Sequence, residues 1–185
     1  MAAAAALNAP VEAQLQRAGL TLLGPCEGLS GRGPELLRHA ALLEDFRPAE
    51  LDALGAAMLW VRARPGQVLI AEGEVGEWML LVLSGTVDVT KRTSPGAAEP
   101  ESSRLGVIKA GASVGEMSML DGGLRYASCT ALDEVEAAVL SRPAMARLIH
   151  EHPAAGAKLL VKITQQMAQR LRNVSNQLVN MLQKE

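Results

Sequence analysis

The stretch Trp78-Met-Leu-Leu-Val-Leu-Ser-Gly-Thr-Val-Asp-Val-Thr90 decides the fold of this 185-residue chain. Its first six residues are apolar at every position, so we expect a β-strand that is covered on both faces. The last five alternate polar and apolar residues, which predicts a second strand with one face in water. Ser84-Gly85 between the two runs predicts a tight turn, and the stretch as a whole therefore predicts two strands joined by a turn inside a β-rich domain.

Further β-prone runs flank these two strands between Leu59 and Leu140, with glycines at intervals of roughly ten residues. That spacing is typical of an all-β roll, sandwich or barrel. Lys91–Ser103 contains two prolines and several small polar residues, and it predicts a hairpin loop. The remaining predicted strands are Leu59–Arg64, Gln67–Ala71, Arg104–Lys109, Tyr126–Ala131 and Val135–Leu140.

Helices are predicted on both sides of the β region, which gives three zones. Residues 1–33 are rich in Ala, Gly and Pro and predict a loosely attached N-terminal extension with one weak helix from Val11 to Leu20. Residues 34–152 form the β domain, with two short helices before the strands and one beginning near Pro143 after them. Residues 153–185 predict one long helix.

This long helix carries an apolar seam at the a and d positions of a heptad repeat. We expect this helix to form a parallel homodimer. The alternative is that its first half packs on the β domain and its second half frays. The residues assigned to the dimer contact are Met167, Leu171, Val174, Leu178 and Met181.

Composition excludes several classes of protein. A formal net charge of −2 provides no global positive field for nucleic acid or an anionic membrane. Cys26 and Cys129 are 103 positions apart, which argues against a disulfide scaffold or a cysteine-based zinc site. The apolar start lacks a positively charged region, and no run of 18 apolar residues is present. A cytoplasmic protein without a membrane anchor is expected.

Histidine placement argues against an enzyme. The three histidines are His39, His150 and His152, and none lies in the β region. The strands therefore have no imidazole for a catalytic metal or for a nucleophile–histidine pair. We expect no metal, no cofactor and no catalytic residue.

The stretch Gly111–Ala131 carries the positive signal. It predicts a glycine turn, a short helical turn containing Glu116, and Arg125 at the mouth of an apolar strand. The free N–H groups of such a turn and a nearby guanidinium form a cradle for phosphate. A glutamate beside the anion is suited to accept hydrogen bonds from a sugar hydroxyl. The pair predicts a ligand with a hydroxyl group and a single negative charge.

These residues resemble the cyclic nucleotide-binding domain family. The resemblance rests on 65–74 (PGQVLIAEGE), on 81–87 (LVLSGTV), and on Gly115-Glu116 followed by Arg125-Tyr-Ala-Ser128, which is similar to the family's phosphate-binding cassette. It implies an eight-stranded double-stranded β-helix or jelly-roll with flanking helices and a long C-terminal helix. It also implies reversible binding of cAMP or cGMP without catalysis.

By this resemblance, Glu116 takes the ribose 2′-hydroxyl and Arg125 takes the cyclic phosphate. The backbone N–H groups of Ser118 and Ala127 take the other phosphate oxygens. The implied ligand-binding residues are Gly115, Glu116, Met117, Ser118, Arg125, Tyr126 and Ala127.

The chain departs from the family pattern at two points. Leu124 stands where relatives usually have proline, and Tyr126 stands where they have a small residue near the purine, so the choice between cAMP and cGMP is left open. No aromatic residue follows Tyr126, so the base cap has to be aliphatic or cationic. The candidates for the cap are Leu159, Leu160, Ile163 and Arg170.

The function expected from these residues is that of a cyclic nucleotide sensor which passes occupancy to its C-terminal helix and on to an unidentified partner protein or the dimer. Because the sequence reaches only Glu185, we expect no helix-turn-helix domain and no direct contact with DNA. The alternative from a different class is a scaffold or dimerisation module on a degenerate fold that has lost nucleotide binding.

Overall fold

The computed structural model describes residues 11–32, 36, 39–93 and 101–183. Within them the helices are α1 (Val11–Arg17), α2 (Pro48–Ala56), α3 (Glu116–Asp121), α4 (Arg142–Glu151) and α5 (Pro153–Leu182). The strands are β1 (Thr21–Pro25), β2 (Leu59–Ala63), β3 (Val68–Ile70), β4 (Trp78–Ser84), β5 (Thr86–Arg92), β6 (Ser102–Lys109), β7 (Ser113–Val114), β8 (Ser128–Ala131) and β9 (Val135–Ser141).

The strands form two antiparallel sheets that enclose the interior of a β-roll. One sheet has the order β1-β2-β9-β4-β7 and the other β3-β8-β5-β6. This double-sheet architecture with flanking helices confirms the predicted fold class. The described residues contain nine strands, where eight are expected. The N-terminal β1 joins the first sheet, and the two-residue strand β7 pairs with β4.

The β4 strand packs against the interior of the roll with one face and against the helices with the other. Its residues alternate between two apolar clusters: Leu80 and Val82 lie in the cluster between the sheets, whereas Met79 and Leu81 lie in the cluster under the helices. Both faces are thus buried, as the uninterrupted apolar run predicts. The alternating β5 strand pairs with β6 and β8 and is only partly buried at most positions.

The helices after the roll follow the sequence prediction closely. The Ser141 hydroxyl oxygen accepts a hydrogen bond from the Ala144 N–H at 3.3 Å and thereby caps the N-terminus of α4. His152 separates α4 from α5, which runs for 30 residues. Of the two helices predicted between 34 and 58, the second is α2, while the first falls partly outside the described residues, and the residues at 41–45 form turns. The predicted 91–103 loop has described residues only at its two ends, which continue β5 and β6.

The prediction of a loosely attached N-terminal segment is wrong for residues 11–32. The β1 strand pairs with β2 over Thr21–Pro25, and the Leu15 side chain on α1 is fully buried in the cluster between the sheets. Cys26 and Leu29 are buried in the other cluster. These contacts are long-range, and a scan for local periodicity in an Ala- and Gly-rich segment does not reveal them.

Replacing Leu15 with alanine is expected to lower the free energy of unfolding by about 3 kcal/mol, because it removes a fully buried side chain and leaves a cavity. Gln16→Ala, an exposed change on the same helix, is the matched control and should alter stability by less than about 0.5 kcal/mol. Urea denaturation of both variants measures the difference. Equal stability of the two variants would show that α1 does not belong to the core.

Candidate functional site

The site is built around α3, a helix of six residues that follows β7. Gly115 precedes it with φ 84°, in the left-handed region. The first backbone bond of the helix runs from Met119 N–H to Gly115 carbonyl. The N–H groups of residues 116–118 therefore have no partner within the helix. Glu116 and Ser118 are buried, and Met119 fills the core.

Arg125 lies against this helix from the opposite side of the site. Its Nη1 donates to the Gly115 carbonyl at 3.0 Å and to Ser118 Oγ at 2.7 Å. Its backbone is held by Glu74, whose carbonyl accepts the Arg125 N–H at 2.8 Å. The arginine thus contacts the residues on both sides of Glu116, and the charge of Glu116 acts on its pKa, while the carboxylate itself pairs with Arg170.

The Arg125 guanidinium is packed between glycines and an indole ring. Its Cζ lies 4.3 Å from the centre of the Trp78 ring, a cation–π contact. A Cβ on Gly76 would stand 2.7 Å from Nε and Nη2, and a Cβ on Gly115 would stand 2.7 Å from Nη1. Glycine at both positions is therefore what makes room for the guanidinium.

Two buried polar atoms of the site lack a hydrogen-bond partner among the described residues. These atoms are Arg125 Nη2 and Glu116 Oε2. Only 4% of Arg125 and 2% of Glu116 is exposed. A buried donor and a buried acceptor without partners are costly in a folded protein, and they fit a ligand that brings an anionic oxygen and a hydroxyl group.

Burial determines the charge state of the site. Desolvation lowers the pKa of Arg125 to about 10, although Cys129, Glu116 and Glu74 act in the opposite direction. The guanidinium is still cationic at neutral pH. Burial also raises the pKa of the Cys129 thiol to about 12, so this thiol is protonated at neutral pH and is not an activated nucleophile.

Arg170 connects the site to the C-terminal helix. Its Nη1 forms an ion pair with Glu116 Oε1, and its Nη2 donates to the Ser113 carbonyl at 2.6 Å. Ser113 Oγ also donates to Gln166 Oε1 at 2.9 Å, one turn earlier on α5. Arg170 was expected only as a candidate base cap, and the sequence pattern does not reveal that it contacts the carboxylate across 54 positions.

Arg142, at the start of α4, ties the other end of α3 to the helices. Its Nε donates to the Met119 carbonyl at 2.6 Å and its Nη2 to the Ser118 carbonyl at 3.3 Å. Nη1 pairs with Glu77 at 2.8 Å. Ser118 is therefore held by Arg125 through its hydroxyl and by Arg142 through its carbonyl. Sequence reasoning missed Arg142, because no spacing marks an arginine as a cap for a distant helix.

The remaining predicted ligand-binding residues are more peripheral. Met117 is 49% exposed on the outer side of α3. Tyr126 is 58% exposed, and its ring lies 4.5 Å from Lys91 Nζ. Leu124 is exposed and bridges to Val75, and Ala127 is partly buried just before β8. The two residues that depart from the family pattern thus point largely to solvent rather than filling the site.

The aliphatic cap predicted on α5 is not observed. Leu159 and Ile163 are fully buried in the cluster under the helices, and Leu160 packs against the same cluster. They contribute to the core because α5 lies against α2 and α4 over its first turns. Among the four cap candidates, Arg170 is the one that reaches the site.

A cavity of about 500 Å³ has Arg125 in its lining, together with residues of α1 and β3. One wall is formed by β3 and the residues after it, and the other by α1, which the sequence did not associate with the site. Glu116 is not part of the lining. The lining residues are Gln14, Arg17, Ala18, Val68, Leu69, Ile70, Ala71, Glu74, Val75, Trp78 and Arg125.

Neither a cluster of metal-ligating side chains nor a membrane-spanning helix is found in the described part of the chain. Residues 11–32, 36, 39–93 and 101–183 contain no group of three or more His, Cys, Asp or Glu side chains placed to hold a metal ion. A search of the same residues for a helix of the length and apolarity needed to cross a bilayer gave none.

Comparisons with known proteins relate this geometry to one family. The sequence profile described as "Cyclic nucleotide-binding domain" matches residues 60–152, about half of the chain, including α3 and Arg125. A cyclic nucleotide-binding domain from Methylobacillus flagellatus KT is 32% identical and superposes with a TM-score of 0.73, covering 86% of this chain and 88% of that one.

Two longer proteins are also similar. The catabolite activator protein of Thermus thermophilus is 27% identical with a TM-score of 0.65, and the match covers 75% of this chain and 61% of that protein. A CRP-like cAMP-activated global transcriptional regulator from Mycobacterium tuberculosis is 28% identical over 148 residues, 80% of this chain and 62% of the relative. The chain spans about three fifths of the length of these two relatives.

Proposed function

The chain belongs to the cyclic nucleotide-binding domain family, and from that premise we propose that it is a non-enzymatic sensor for cAMP or cGMP. In this proposal Arg125 takes the cyclic phosphate, with the N–H groups of Ser118 and Ala127 on its other oxygens, and Glu116 takes the ribose 2′-hydroxyl. The observation that carries the proposal is the pair of buried, unpartnered atoms, Arg125 Nη2 and Glu116 Oε2.

The chemistry of the two groups matches the two functional groups of the ligand. A cyclic phosphodiester has a single negative charge, and the buried guanidinium supplies a single positive charge with two parallel donors. A carboxylate accepts the hydroxyl hydrogen and repels a second anion, which favours a diester over a phosphomonoester. No nucleophile or metal is needed for such reversible binding.

Occupancy can reach the C-terminal helix by two routes. Arg170 on α5 already contacts the Glu116 carboxylate, so a ribose hydroxyl arriving there shares or displaces that contact. On the other route, Arg142 joins the Ser118 and Met119 carbonyls to α4, which packs against α5. A nucleotide that binds one position of these helices more tightly shifts the population toward that position.

We further propose that α5 transmits the signal within a homodimer. Its buried residues end at Ile163, and from Leu171 onward the apolar seam is exposed. Met167 was assigned to the dimer contact, but it packs against the domain's own helical cluster, so the seam available to a partner copy begins at Leu171.

The alternative function is a scaffold or dimerisation module without nucleotide binding. The ion pair between Arg170 and Glu116 is the observation that favours it, because it already neutralises the carboxylate without a ligand. The two functions differ in one measurable property, the stabilisation of the fold by a cyclic nucleotide.

Thermal denaturation with cAMP and with cGMP distinguishes them. A nucleotide present at 100 times its dissociation constant should stabilise the folded state by about 2.7 kcal/mol. The linear monophosphates AMP and GMP are the matched controls and should give a much smaller shift. No shift with either cyclic nucleotide, at concentrations up to several millimolar, would favour the scaffold.

A further inference from the structure

We propose that Arg142, at the start of α4, is a positioning residue for the phosphate site and acts by joining the two walls that enclose the Arg125 guanidinium. One wall is α3, and the other is the segment 73–78, which leads into β4. The Arg142 side chain bonds to both walls, and this observation carries the inference. The inference rests on the proposed function and deepens it, because Arg142 contacts protein atoms that hold the site.

The segment 73–78 holds Arg125 on one side. The Glu74 carbonyl accepts the Arg125 N–H at 2.8 Å, which fixes the backbone of the arginine. The absence of a side chain at Gly76 leaves room for the guanidinium, and the Trp78 ring contacts it at 4.3 Å. Any movement of this segment therefore moves the charged group that is proposed to bind the phosphate.

The α3 wall is a helix of six residues, and its C-terminal end needs partners from outside the helix. The Ser118 carbonyl accepts the Gly122 N–H at 3.0 Å and Arg142 Nη2 at 3.3 Å. The Met119 carbonyl accepts Arg142 Nε at 2.6 Å. A cation at this end also complements the helix dipole. Arg142 therefore fixes the end of a helix whose first turn carries the N–H groups proposed for the phosphate.

The backbone of Arg142 is anchored to the first sheet. Ser141, the last residue of β9, pairs with Trp78, the first residue of β4. The Arg142 N–H continues this pairing by donating to the Glu77 carbonyl at 2.9 Å, and its Nη1 pairs with the Glu77 carboxylate at 2.8 Å. The side chain thus extends to α3 from a residue that is held at the edge of a rigid strand pair.

These contacts determine the geometry of the site more than the stability of the fold. The Arg142 side chain is 40% exposed and that of Glu77 is 32% exposed, so solvent screens their ion pair. The planar guanidinium nevertheless directs three nitrogens to three different residues. Without it the two walls lose their common partner, and nucleotide binding has to restore their arrangement. Arg142 therefore raises the affinity through preorganisation of the site.

Calorimetric titration of the full chain with cAMP and with cGMP tests this inference. Arg142→Met keeps most of the side-chain length without the donors, and it should weaken the binding of whichever cyclic nucleotide the unaltered protein binds by about tenfold. Glu77→Ala removes the ion pair but leaves the bonds to α3, so a smaller loss of about threefold is expected. Arg147→Met, an exposed change on the same helix, is the matched control and should bind normally.

Hydrogen exchange of the ligand-free variants separates a positioning role from a general loss of stability. Arg142→Met should speed the exchange of the Met119, Gly122 and Arg125 amides, whose hydrogen bonds belong to the two walls. The amides that pair β4 with β9 should keep the protection of the unaltered protein. The titrations are made at a temperature at which urea denaturation shows every variant to be folded, so that the affinities do not report unfolding.

The outcomes separate this inference from the proposed function. If the unaltered protein binds neither nucleotide, the proposed function fails and the inference fails with it. If the unaltered protein binds a cyclic nucleotide and Arg142→Met binds it equally well, the inference alone is overturned. Weaker binding accompanied by faster exchange throughout β4 and β9 would also overturn it, because Arg142 would then stabilise the whole domain.

Discussion

Replacing Arg125 with alanine is expected to weaken cyclic nucleotide binding by about 2 to 4 kcal/mol, which is roughly a 30- to 1,000-fold loss of affinity. The reason is that the guanidinium is 4% exposed and cationic at neutral pH, so it meets the phosphate away from competing water. Its removal leaves the buried anion without its charged partner. Calorimetric titration of the variant measures the loss.

The same substitution should leave the folded state intact. Burial lowers the pKa of Arg125 to about 10, and its Nη2 has no partner among the described residues, so the side chain is not optimised for stability. Arg125→Lys is a second variant that keeps a cation without the paired donors, and an intermediate affinity is expected. Arg104→Ala, which removes an exposed partner of Asp88, is the control and should bind normally. Undiminished affinity in Arg125→Ala would refute the assignment of the phosphate site.

The double substitution of Leu171 and Leu178 by aspartate is expected to convert a dimer into a monomer. Both residues occupy a positions of the heptad, and they are 69% and 54% exposed in the single chain. Two charges in each helix would be buried without partners at the seam, which costs several kcal/mol in the dimer and little in the monomer. Multi-angle light scattering at several protein concentrations measures the change.

Asn176→Asp is the matched control, because it adds a charge to the same helix at an exposed position far from the seam. This variant should have the mass of the unaltered protein. If the unaltered protein is already monomeric at high concentration, the dimer proposal fails. If the double variant keeps the dimeric mass, the dimer forms through another surface.

The β-roll could be predicted from the sequence because its signals are local. An uninterrupted apolar run such as Trp78–Leu83 requires cover on both faces, and the alternating run after it requires cover on one. The contact of Arg125 with the short helix that contains Glu116 could also be predicted, because the segment between the two residues is short and carries its own turn residues.

Features that depend on distant contacts could not be predicted. The attachment of α1 and β1 is decided by pairing with β2 and by the burial of Leu15, and neither has a local signature. Likewise, a periodic apolar pattern in a helix does not show which apolar cluster of the protein the helix packs against. Leu159 and Ile163 therefore fit a base cap in the sequence but lie in the helical core of the structure.

The arginines illustrate the same limit. Arg170 and Arg142 have the spacing of ordinary surface residues, yet one pairs with Glu116 and the other holds the carbonyls of α3. An arginine side chain is long enough to reach across elements that are far apart in the chain, and its partners are set by the fold. These two contacts link the candidate site to α4 and α5.

The most direct test of the central claim is a calorimetric titration of the unaltered full chain with cAMP and cGMP. A single saturable site per chain for at least one of them is expected, with weaker or absent binding of the linear monophosphates. Flat titrations with both cyclic nucleotides would contradict the claim that Arg125 and Glu116 form a nucleotide site.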